Sequence, residues 1–382
     1  MRLLFVKERL AWPRTSGHDV HTYYMMQSIQ RLGHEVALVA RDRVPEAVEG
    51  LPLAASWTLS ELPDAGPLPT TRLQAKFLSY WGIDRRDLGA VASAVARFNA
   101  DVLVPVGLDG LPYVAAAGNA RAVWYAADEW FLHHMSLVKV TQPATWQHVK
   151  PAFIKLLYER AFAPLVDRVW VVSEADRRAA VRWAGMPRAD VLPNGVDTGY
   201  FAPAGAGGDT KHCSCVFWGR LDFEPNIDAM NWFLNTAWPL VRRQHPHALL
   251  RVIGANPGPE AQAWREVPGV ELHTDVPDLR PLLRDMQVAV LPFVSGAGIK
   301  NKLLEAAALA KPVICTPRSL GGLRGSPPLT TASEPAEWSA SLHRLWLDAE
   351  LRASNGSAGR RWVIENHACE TSARTAMEAL SG

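Results

Sequence analysis

The chain contains 382 residues, of which 48% are hydrophobic, and its formal net charge is +2. This length exceeds one ordinary core and predicts two domains of nearly equal size, while the near-neutral charge excludes the basic footprint typical of nucleic-acid binders. Four cysteines are too few for a disulfide framework, and no apolar run reaches the roughly 18 residues of a membrane span. We therefore expect a globular protein of a reducing compartment, located in the cytoplasm, that binds no nucleic acid.

The first half of the chain alternates segments typical of strands with segments typical of helices. Its opening residues, Met1–Glu8, have only four apolar residues in a row, which predicts a strand rather than a signal peptide. The predicted strands cover residues 3–6, 35–40, 101–106, 121–126 and 169–172. The predicted helices cover residues 18–32, 91–98 and 153–162, and Gly33 stands at the stop position of the first of them. This alternation indicates a parallel, doubly wound sheet.

The second half repeats the same kind of pattern after a predicted linker, residues 202–210, that is rich in Gly, Ala and Pro. The predicted strands cover residues 214–218, 248–253, 270–272, 288–293 and 311–316, and the predicted helices cover residues 227–241 and 279–285. Both halves are therefore Rossmann-like α/β domains. We assign residues 1–200 to the first and 201–362 to the second, and we expect a helix at about 363–382 to pack back on the first. The ligand should bind in a cleft between the two domains, at the carboxyl ends of their parallel strands.

The stretch Gly298–Ala308 is the most informative part of the sequence, because it joins two predicted strands through a glycine loop and a helix start. Backbone N–H groups and the positive end of a helix dipole at such a position suit a phosphate. Lys300 and Lys302 can neutralise a diphosphate, and Glu305 can accept hydrogen bonds from a ribose diol. The pattern predicts a nucleotide-linked substrate. The alternatives are solvated lysines and a helix-face carboxylate paired with Lys302 or Arg318.

Metal chemistry has little support in the sequence. Cys213 and Cys215 are two residues apart and His212 is adjacent, but no second cluster with zinc-site spacing follows, so a structural role is favoured. The chain contains no Asp-x-Asp motif, which leaves metal-dependent donor binding unsupported. It also lacks a Walker P-loop and a complete Gly-x-Gly-x-x-Gly fingerprint after a strand, which weakens kinase and dehydrogenase interpretations. We predict neither a metal site nor a cofactor.

Five further motifs follow one another along the chain, and their shared order carries a family resemblance. They are Pro13–His18 after the first strand, Val171–Asp176, Leu192–Asp197, Gly219–Leu221 with Pro225–Asn226, and Pro246–Gly254. With these motifs the chain resembles the retaining glycosyltransferases of family GT4, which have the GT-B fold, over almost its whole length. Within this family it resembles the sugar transferases of exopolysaccharide clusters, in which a Gly-Ile-x-Asn-Lys-x-Leu-Glu-Ala loop recurs.

The resemblance implies an α/β protein of the GT-B type, with two Rossmann-like domains whose parallel sheets face each other across a cleft. It also implies a nucleotide-diphosphate sugar donor bound mainly by the second domain and an acceptor bound mainly by the first. The acceptor would be a carbohydrate, a lipid-linked molecule or a small molecule, and a peripheral membrane contact stays open as an alternative to a wholly cytoplasmic location. Two rival functions also stay open: a GT-B-type nucleotide-sugar epimerase, and a non-catalytic nucleotide-sugar-binding homologue.

The resemblance also assigns residues on the donor side. It implies that Arg220 contacts the donor diphosphate, for which a permanently charged, bidentate guanidinium is suited. Family members often carry a lysine a few residues later, where this chain has Asn226, and we expect Lys302 to supply the missing charge. Glu305 matches the second glutamate of the family's Glu-x7-Glu motif and would bind the ribose. Ala297 replaces the first glutamate, which puts the donor sugar in doubt. Donor binding should also involve Gly298, Ile299, Lys300 and Gly17, where a glycine lets the backbone approach a phosphate.

Two further residues are candidates for the reacting centre beside Arg220 and Lys302. His18 could hydrogen-bond a substrate or only cap the following helix, and Asp128 could orient an acceptor hydroxyl or only belong to a solvated turn. The aromatic-rich segment from Trp124 to His134 could stack on a sugar ring, although a core role is the competing interpretation.

Overall fold

The computed structural model describes residues 1–8, 10, 17–41, 51–127, 131, 134–135, 138, 143–203, 212–295 and 299–382. The chain divides into two compact units. Unit 1 consists of Met1–Pro193 together with Ser372–Gly382, and unit 2 consists of Asn194–Thr371. The change of unit at Asn194 comes a few residues before the boundary that the sequence suggested.

Unit 1 contains a seven-stranded sheet in which the neighbouring strands pair in parallel. Its strands are β1 Arg2–Lys7, β2 Glu35–Ala40, β3 Ala55–Thr58, β4 Val102–Pro105, β5 Arg121–Ala127, β6 Arg168–Val171 and β7 Ala189–Val191. They are arranged in the order β3-β2-β1-β4-β5-β6-β7. Its α-helices are α1 Gly17–Arg31, α2 Arg72–Trp81, α3 Arg85–Phe98, α4 Gly107–Gly110, α5 Val149–Phe162 and α6 Glu174–Ala179.

Shorter helical turns complete unit 1. They are 3-10 turns at Leu59–Glu61, Leu111–Ala116, Pro143–His148 and Ala163–Leu165, and a π turn at Ala180–Ala184. The central strand β1 shows why the sheet forms: Leu3, Leu4, Phe5 and Val6 are all buried, as expected for a parallel strand that is covered on both faces. At its carboxyl end, Lys7 forms a buried ion pair of 2.9 Å with an aspartate of α1.

Unit 2 repeats the architecture with a six-stranded sheet whose neighbouring strands also pair in parallel. Its strands are β8 Ser214–Trp218, β9 Leu249–Gly254, β10 Val270–Thr274, β11 Val288–Leu291, β12 Val313–Cys315 and β13 Thr330–Thr331, in the order β10-β9-β8-β11-β12-β13. Its α-helices are α7 Glu224–Trp232, α8 Trp238–Gln244, α9 Pro259–Ala263, α10 Arg280–Arg284, α11 Asn301–Ala308, α12 Pro335–Leu347 and α13 Ala349–His367.

A π turn at Phe233–Ala237 joins α7 to α8, and 3-10 turns cover Trp264–Glu266 and Pro317–Leu320. The core of unit 2 lies around β8 and β11, where Val216, Phe217, Val288 and Val290 are fully buried. The predicted α/β class and the two parallel sheets are confirmed.

The last helix, α14, covers Cys369–Ser381 and follows α13 after a break at Ala368, whose backbone is extended. The structure therefore contains two helices where the sequence suggested one continuous helix at about 363–382. From Ser372 onwards the chain belongs to unit 1, where the Ser372 hydroxyl donates to the carbonyl of Pro193 at 2.8 Å. Arg121 at the start of β5 donates to the carbonyl of Leu380.

Candidate active site

The predicted phosphate-binding elements meet at one edge of the unit 2 sheet. Strand β8 ends at Trp218 and strand β11 ends at Leu291, and the two strands pair in parallel as neighbours. Their carboxyl ends therefore lie at the same edge, where open α/β sheets bind ligands. The chain leaves β8 through Gly219 and Arg220, and it leaves β11 towards helix α11, which begins at Asn301.

Gly219 opens the space into which the side chain of Lys302 extends. Its φ of +141° is a conformation that residues with a side chain rarely adopt. A Cβ atom at this position would clash with Cε of Lys302 and would lie 2.6 Å from its Nζ. A Cβ atom at Gly254, on the neighbouring strand β9, would clash with the carbonyl oxygen of Gly219. Two glycines are thus needed for this turn to approach both the sheet and the lysine.

Lys302 lies in the first turn of α11, and its ammonium group donates to Oδ1 of Asn226 at 3.2 Å. The Nζ atom also lies 5.8 Å from the ring centre of Phe217 and 5.6 Å from that of Phe293. Burial lowers the pKa of Lys302 to about 8, with the charge of Glu305 opposing the shift and that of Lys300 adding to it. The residue that replaces the family lysine, Asn226, is therefore in contact with the lysine predicted to compensate for it.

Glu305 lies one turn further along α11 and accepts a hydrogen bond from the indole N–H of Trp218, with 2.6 Å between Nε1 and Oε2. Burial raises the pKa of the Glu305 carboxyl, while the Trp218 hydrogen bond and the charge of Lys302 act in the opposite direction. The carboxylate is held by the last residue of β8 and not by Arg318. Trp218 was missed by the sequence analysis, although its position directly before Gly219 is a signal that could have identified it.

Lys300 and Ile299 form the approach to α11. Lys300 occupies the N-cap position, its Nζ lies 5.0 Å from the ring centre of Phe293, and burial, with a smaller contribution from Arg318, lowers its pKa to about 8. Ile299 packs against Gly322, where a Cβ atom would lie 2.9 Å from Cγ1 of the isoleucine. Two lysines with lowered pKa values at one helix N-terminus carry positive charge at a position where the helix dipole disfavours it.

Arg220 is half-exposed and turns its guanidinium towards Asp222. Nε and Nη2 of Arg220 donate to the two carboxylate oxygens at 3.0 and 2.7 Å. Its main-chain carbonyl accepts a hydrogen bond of 2.6 Å from the side-chain amide of Asn226, which also contacts Lys302. Asn226, fully buried in α7, therefore links the turn after β8 to the lysine of α11.

Several predicted residues cannot be placed as side chains. Gly17 and His18 open helix α1, but the side chain of His18 lies outside the described part of the structure. Asp128, Ala297 and Gly298 lie outside it altogether. Next to this last pair, the hydroxyl of Ser295 donates to Oδ2 of Asp228 at 2.7 Å. A carboxylate from α7 is thus bonded to the loop that lacks the family's first glutamate.

Two other sequence motifs have structural roles. In the motif Leu192–Asp197, the side-chain amide of Asn194 donates to Oδ1 of Asn301 at 3.1 Å, and its carbonyl lies 3.0 Å from Nδ1 of His367. Gly195 allows close packing, because a Cβ atom there would lie 2.8 Å from Cα of Cys369. In the aromatic-rich segment, Trp124 and Tyr125 are core residues, so the core interpretation holds for these two.

Among the residues that the structure describes, no group of three or more His, Cys, Asp and Glu side chains is arranged to hold a metal ion. Cys213 precedes strand β8, and its Sγ lies 3.8 Å from Nδ1 of His245, whereas Cys215 is buried inside the strand. The two thiols thus have different environments. Within the described ranges, no helix has the length and apolar character that a membrane crossing requires.

Comparison with known proteins identifies the class. The model of Glycosyltransferase Family 4 matches residues 15–200, and the model of Glycosyl transferases group 1 matches residues 212–348. The two matches are consecutive and cover most of the chain. The chain therefore belongs to the group 1 glycosyltransferases of family GT4, and it is a glycosyltransferase.

Solved structures show the same fold. Sucrose-phosphate synthase from Thermosynechococcus elongatus is 16% identical, with a TM-score of 0.70 and coverage of 100% of this chain and 98% of that one. HepE from Anabaena, in complex with UDP and glucose, is 13% identical, with a TM-score of 0.64 and coverage of 100% and 99%. TarM from S. aureus, in a complex that contains UDP, is 10% identical, with a TM-score of 0.66 and 99% coverage of both chains. The fold is GT-B. A comparison with curated protein sequences found no match.

Proposed function

We propose that the protein transfers a sugar from a uridine-diphosphate donor to a hydroxyl group of a carbohydrate-type acceptor, with retention of configuration and without a metal ion. The observation that carries this proposal is the cluster at the edge of the unit 2 sheet. There the Lys302 side chain occupies the space kept open by Gly219 and its ammonium contacts Asn226, while Glu305 is fixed by Trp218. The choice of uridine follows HepE and TarM, whose solved complexes contain UDP.

In this proposal the donor diphosphate is neutralised by Lys302, by Arg220 after it leaves Asp222, and by N–H groups at the start of α11. Glu305 accepts hydrogen bonds from the ribose. The acceptor oxygen forms a bond to the anomeric carbon while the bond from that carbon to the diphosphate oxygen breaks, and the leaving diphosphate takes the acceptor proton. Positive charge placed where the leaving group develops negative charge is the protein's main contribution.

The function is tested by incubating the protein with UDP-sugars, with and without an oligosaccharide acceptor, and by analysing all products by mass spectrometry. We expect UDP release together with an acceptor that gains one sugar, and a product with the donor's anomeric configuration. A change of the sugar in the absence of an acceptor would identify an epimerase instead. Donor binding with no turnover across an acceptor panel would identify a non-catalytic binding protein.

A variant of Lys302 links the activity to the cluster. Lys302→Met should retain the fold and lose most of the transfer, whereas Lys76→Met, which changes an exposed lysine on α2, should have no effect. Equal activity of the two variants would show that the donor site of this glycosyltransferase lies elsewhere.

A further inference from the structure

One exposed face of unit 1 carries apolar and basic side chains side by side. Helix α5 presents Lys150, Phe153, Leu157 and Arg160 to solvent at intervals of three or four residues, so they form a stripe along one face of the helix. Phe153 is 50% exposed and Leu157 is 51% exposed. Large apolar side chains so open to water, in a row between two cations, have no role in the core of unit 1.

The π turn at Ala180–Ala184 extends this stripe. Trp183 is 46% exposed, and its ring lies 6.2 Å from that of Phe131, which in turn lies 5.8 Å from the ring of Phe153. Nε of Arg160 donates to the carbonyl of Trp183 at 2.8 Å, which joins helix α5 to the turn. The stripe and the turn therefore form one continuous surface, which we call the aromatic-basic face.

A groove of about 890 Å³ adjoins the aromatic-basic face, and Arg160 belongs to both. Three more arginines line the groove: Arg121, Arg168 and Arg188. Arg168 pairs with Asp190 at 2.7 Å, and the exposed Asp167 also lines the groove. The groove thus contains an arginine-rich wall next to the exposed aromatic rings.

Four cations of this surface take no part in the ion pairs of the described residues. Within the described part of the chain, none of Lys150, Arg160, Arg182 and Arg188 forms an ion pair with a carboxylate. The guanidinium of Arg182 lies over the Trp183 ring at 5.4 Å. Aromatic rings that enter the interfacial layer of a bilayer, with cations at the level of the lipid phosphates, are the usual composition of a surface that binds anionic membranes.

We propose that the aromatic-basic face docks unit 1 on a membrane surface that contains anionic lipid, with lipid phosphates in the arginine-lined groove. A second copy of the chain fits this surface less well, because a two-fold contact would place its cations against the same cations. The proposal stands on unit 1 alone and does not depend on the proposed transfer reaction.

The test uses the full chain and co-flotation with vesicles. We expect binding to vesicles of phosphatidylcholine mixed with phosphatidylglycerol, little binding to phosphatidylcholine alone, and release by salt. Arg160→Gln and Arg182→Gln should each lower the partition coefficient roughly fivefold, the value for one basic residue near such a surface. The double variant Phe153→Ser, Trp183→Ser should lower it roughly tenfold or more.

Matched controls lie in unit 2. Leu347→Ser removes an exposed apolar side chain and Arg265→Gln removes an exposed arginine, and both should bind vesicles like the unchanged protein. Failure of the unchanged protein to bind anionic vesicles would overturn the proposal. Unaltered vesicle binding by the Phe153 and Trp183 variant would overturn it too, as would binding of inorganic phosphate in the groove without binding to vesicles. A third contrary result would be a dimer, detected by ultracentrifugation, that does not bind vesicles and that dissociates in this variant.

Discussion

At the scale of single residues, the proposed activity depends most on the charge of Lys302. Lys302→Met removes the ammonium group but keeps an unbranched side chain, and it should lower kcat/KM by roughly 10²–10³, the range for the loss of one group that stabilises developing negative charge. Steady-state kinetics with a UDP-sugar measures this effect. Lys302→Arg should recover part of the loss, and a methionine variant with normal kinetics would rule out the lysine as a phosphate ligand.

The lowered pKa of Lys302 gives the same prediction a pH dependence. The pKa is about 8 in the folded protein, below the ordinary value near 10.4, so the amine loses its proton as the pH rises through about 8. Affinity for UDP should therefore fall above this pH, and less so in Lys302→Met. In the free protein the unfolded state holds more protons between about 8 and 10.4, so the contribution of this lysine to stability rises with pH there. Lys300→Met removes the other lysine whose pKa is about 8, and it should retain the fall in affinity if Lys302 causes it.

Gly219 gives a steric test of the same site. Gly219→Ala places a methyl group against Cε and Nζ of Lys302, at a φ that an alanine tolerates poorly. We expect the lysine to be displaced, UDP binding to be lost and the protein to become less stable by about 1–3 kcal/mol. Gly258→Ala is the matched control, because no atom lies within 4 Å of its Cβ position and its φ is −71°. Calorimetry with UDP and thermal unfolding of both variants distinguish the two cases.

Variants of Trp218 and Glu305 test whether this pair binds the ribose of the nucleotide. Glu305→Gln should weaken binding of both UDP and the UDP-sugar by roughly 1.5–3 kcal/mol, the range for hydrogen bonds to a charged group. Trp218→Phe keeps a ring but removes the N–H that donates to Glu305. It should weaken both ligands by a smaller amount, about 1 kcal/mol. Titration calorimetry on both ligands is the measurement. If Glu305→Gln changes only the affinity for the sugar-bearing donor, this carboxylate contacts the sugar and not the ribose.

At the scale of helices and strands, continuous apolar runs were the most reliable signal. Strands β2 and β8 have the predicted bounds because their runs of buried residues end at charged or glycine positions. Strands β3 and β7 were missed, since edge strands of three or four partly exposed residues have no clear periodicity. Helix α3 begins at Arg85 and not at the predicted Val91, because the N-cap matters more here than the apolar pattern.

That N-cap leads to a prediction for α3. Oδ1 of Asp84 accepts a hydrogen bond from the main-chain N–H of Arg86 at 3.0 Å. Asp84→Ala should destabilise the first turn by about 1 kcal/mol, which corresponds to roughly fivefold faster amide hydrogen exchange there. Asp84→Ser retains an acceptor and should exchange nearly as in the unchanged protein. Exchange that is unaltered in the alanine variant would show that tertiary packing alone fixes the start of the helix.

In the candidate site, too, some features could be predicted from the sequence and others could not. We predicted that Lys302 supplies a positive charge because this chain has Asn226 where family members often have a lysine. In the structure, Lys302 and Asn226 are in contact. The indole of Trp218 could not be assigned to Glu305, because this hydrogen bond joins residues 87 positions apart. The conformation of Gly219 was equally hidden, since a glycine before an arginine is consistent with many turns. Contacts between distant segments depend on the register of the sheet, which a single sequence does not specify.

At the scale of the whole molecule, the source of positive charge decides whether a metal ion is needed. The chain has no Asp-x-Asp motif, and at the edge of the unit 2 sheet it offers the ammonium groups of Lys300 and Lys302 and the guanidinium of Arg220. These groups can balance a diphosphate without a divalent cation. Excess EDTA should therefore leave the transfer rate nearly unchanged, and added magnesium or manganese should not raise it. A rate that falls with EDTA and returns with either ion would show that the lysines and the arginine do not suffice, and the donor diphosphate would then have to be bound through a metal.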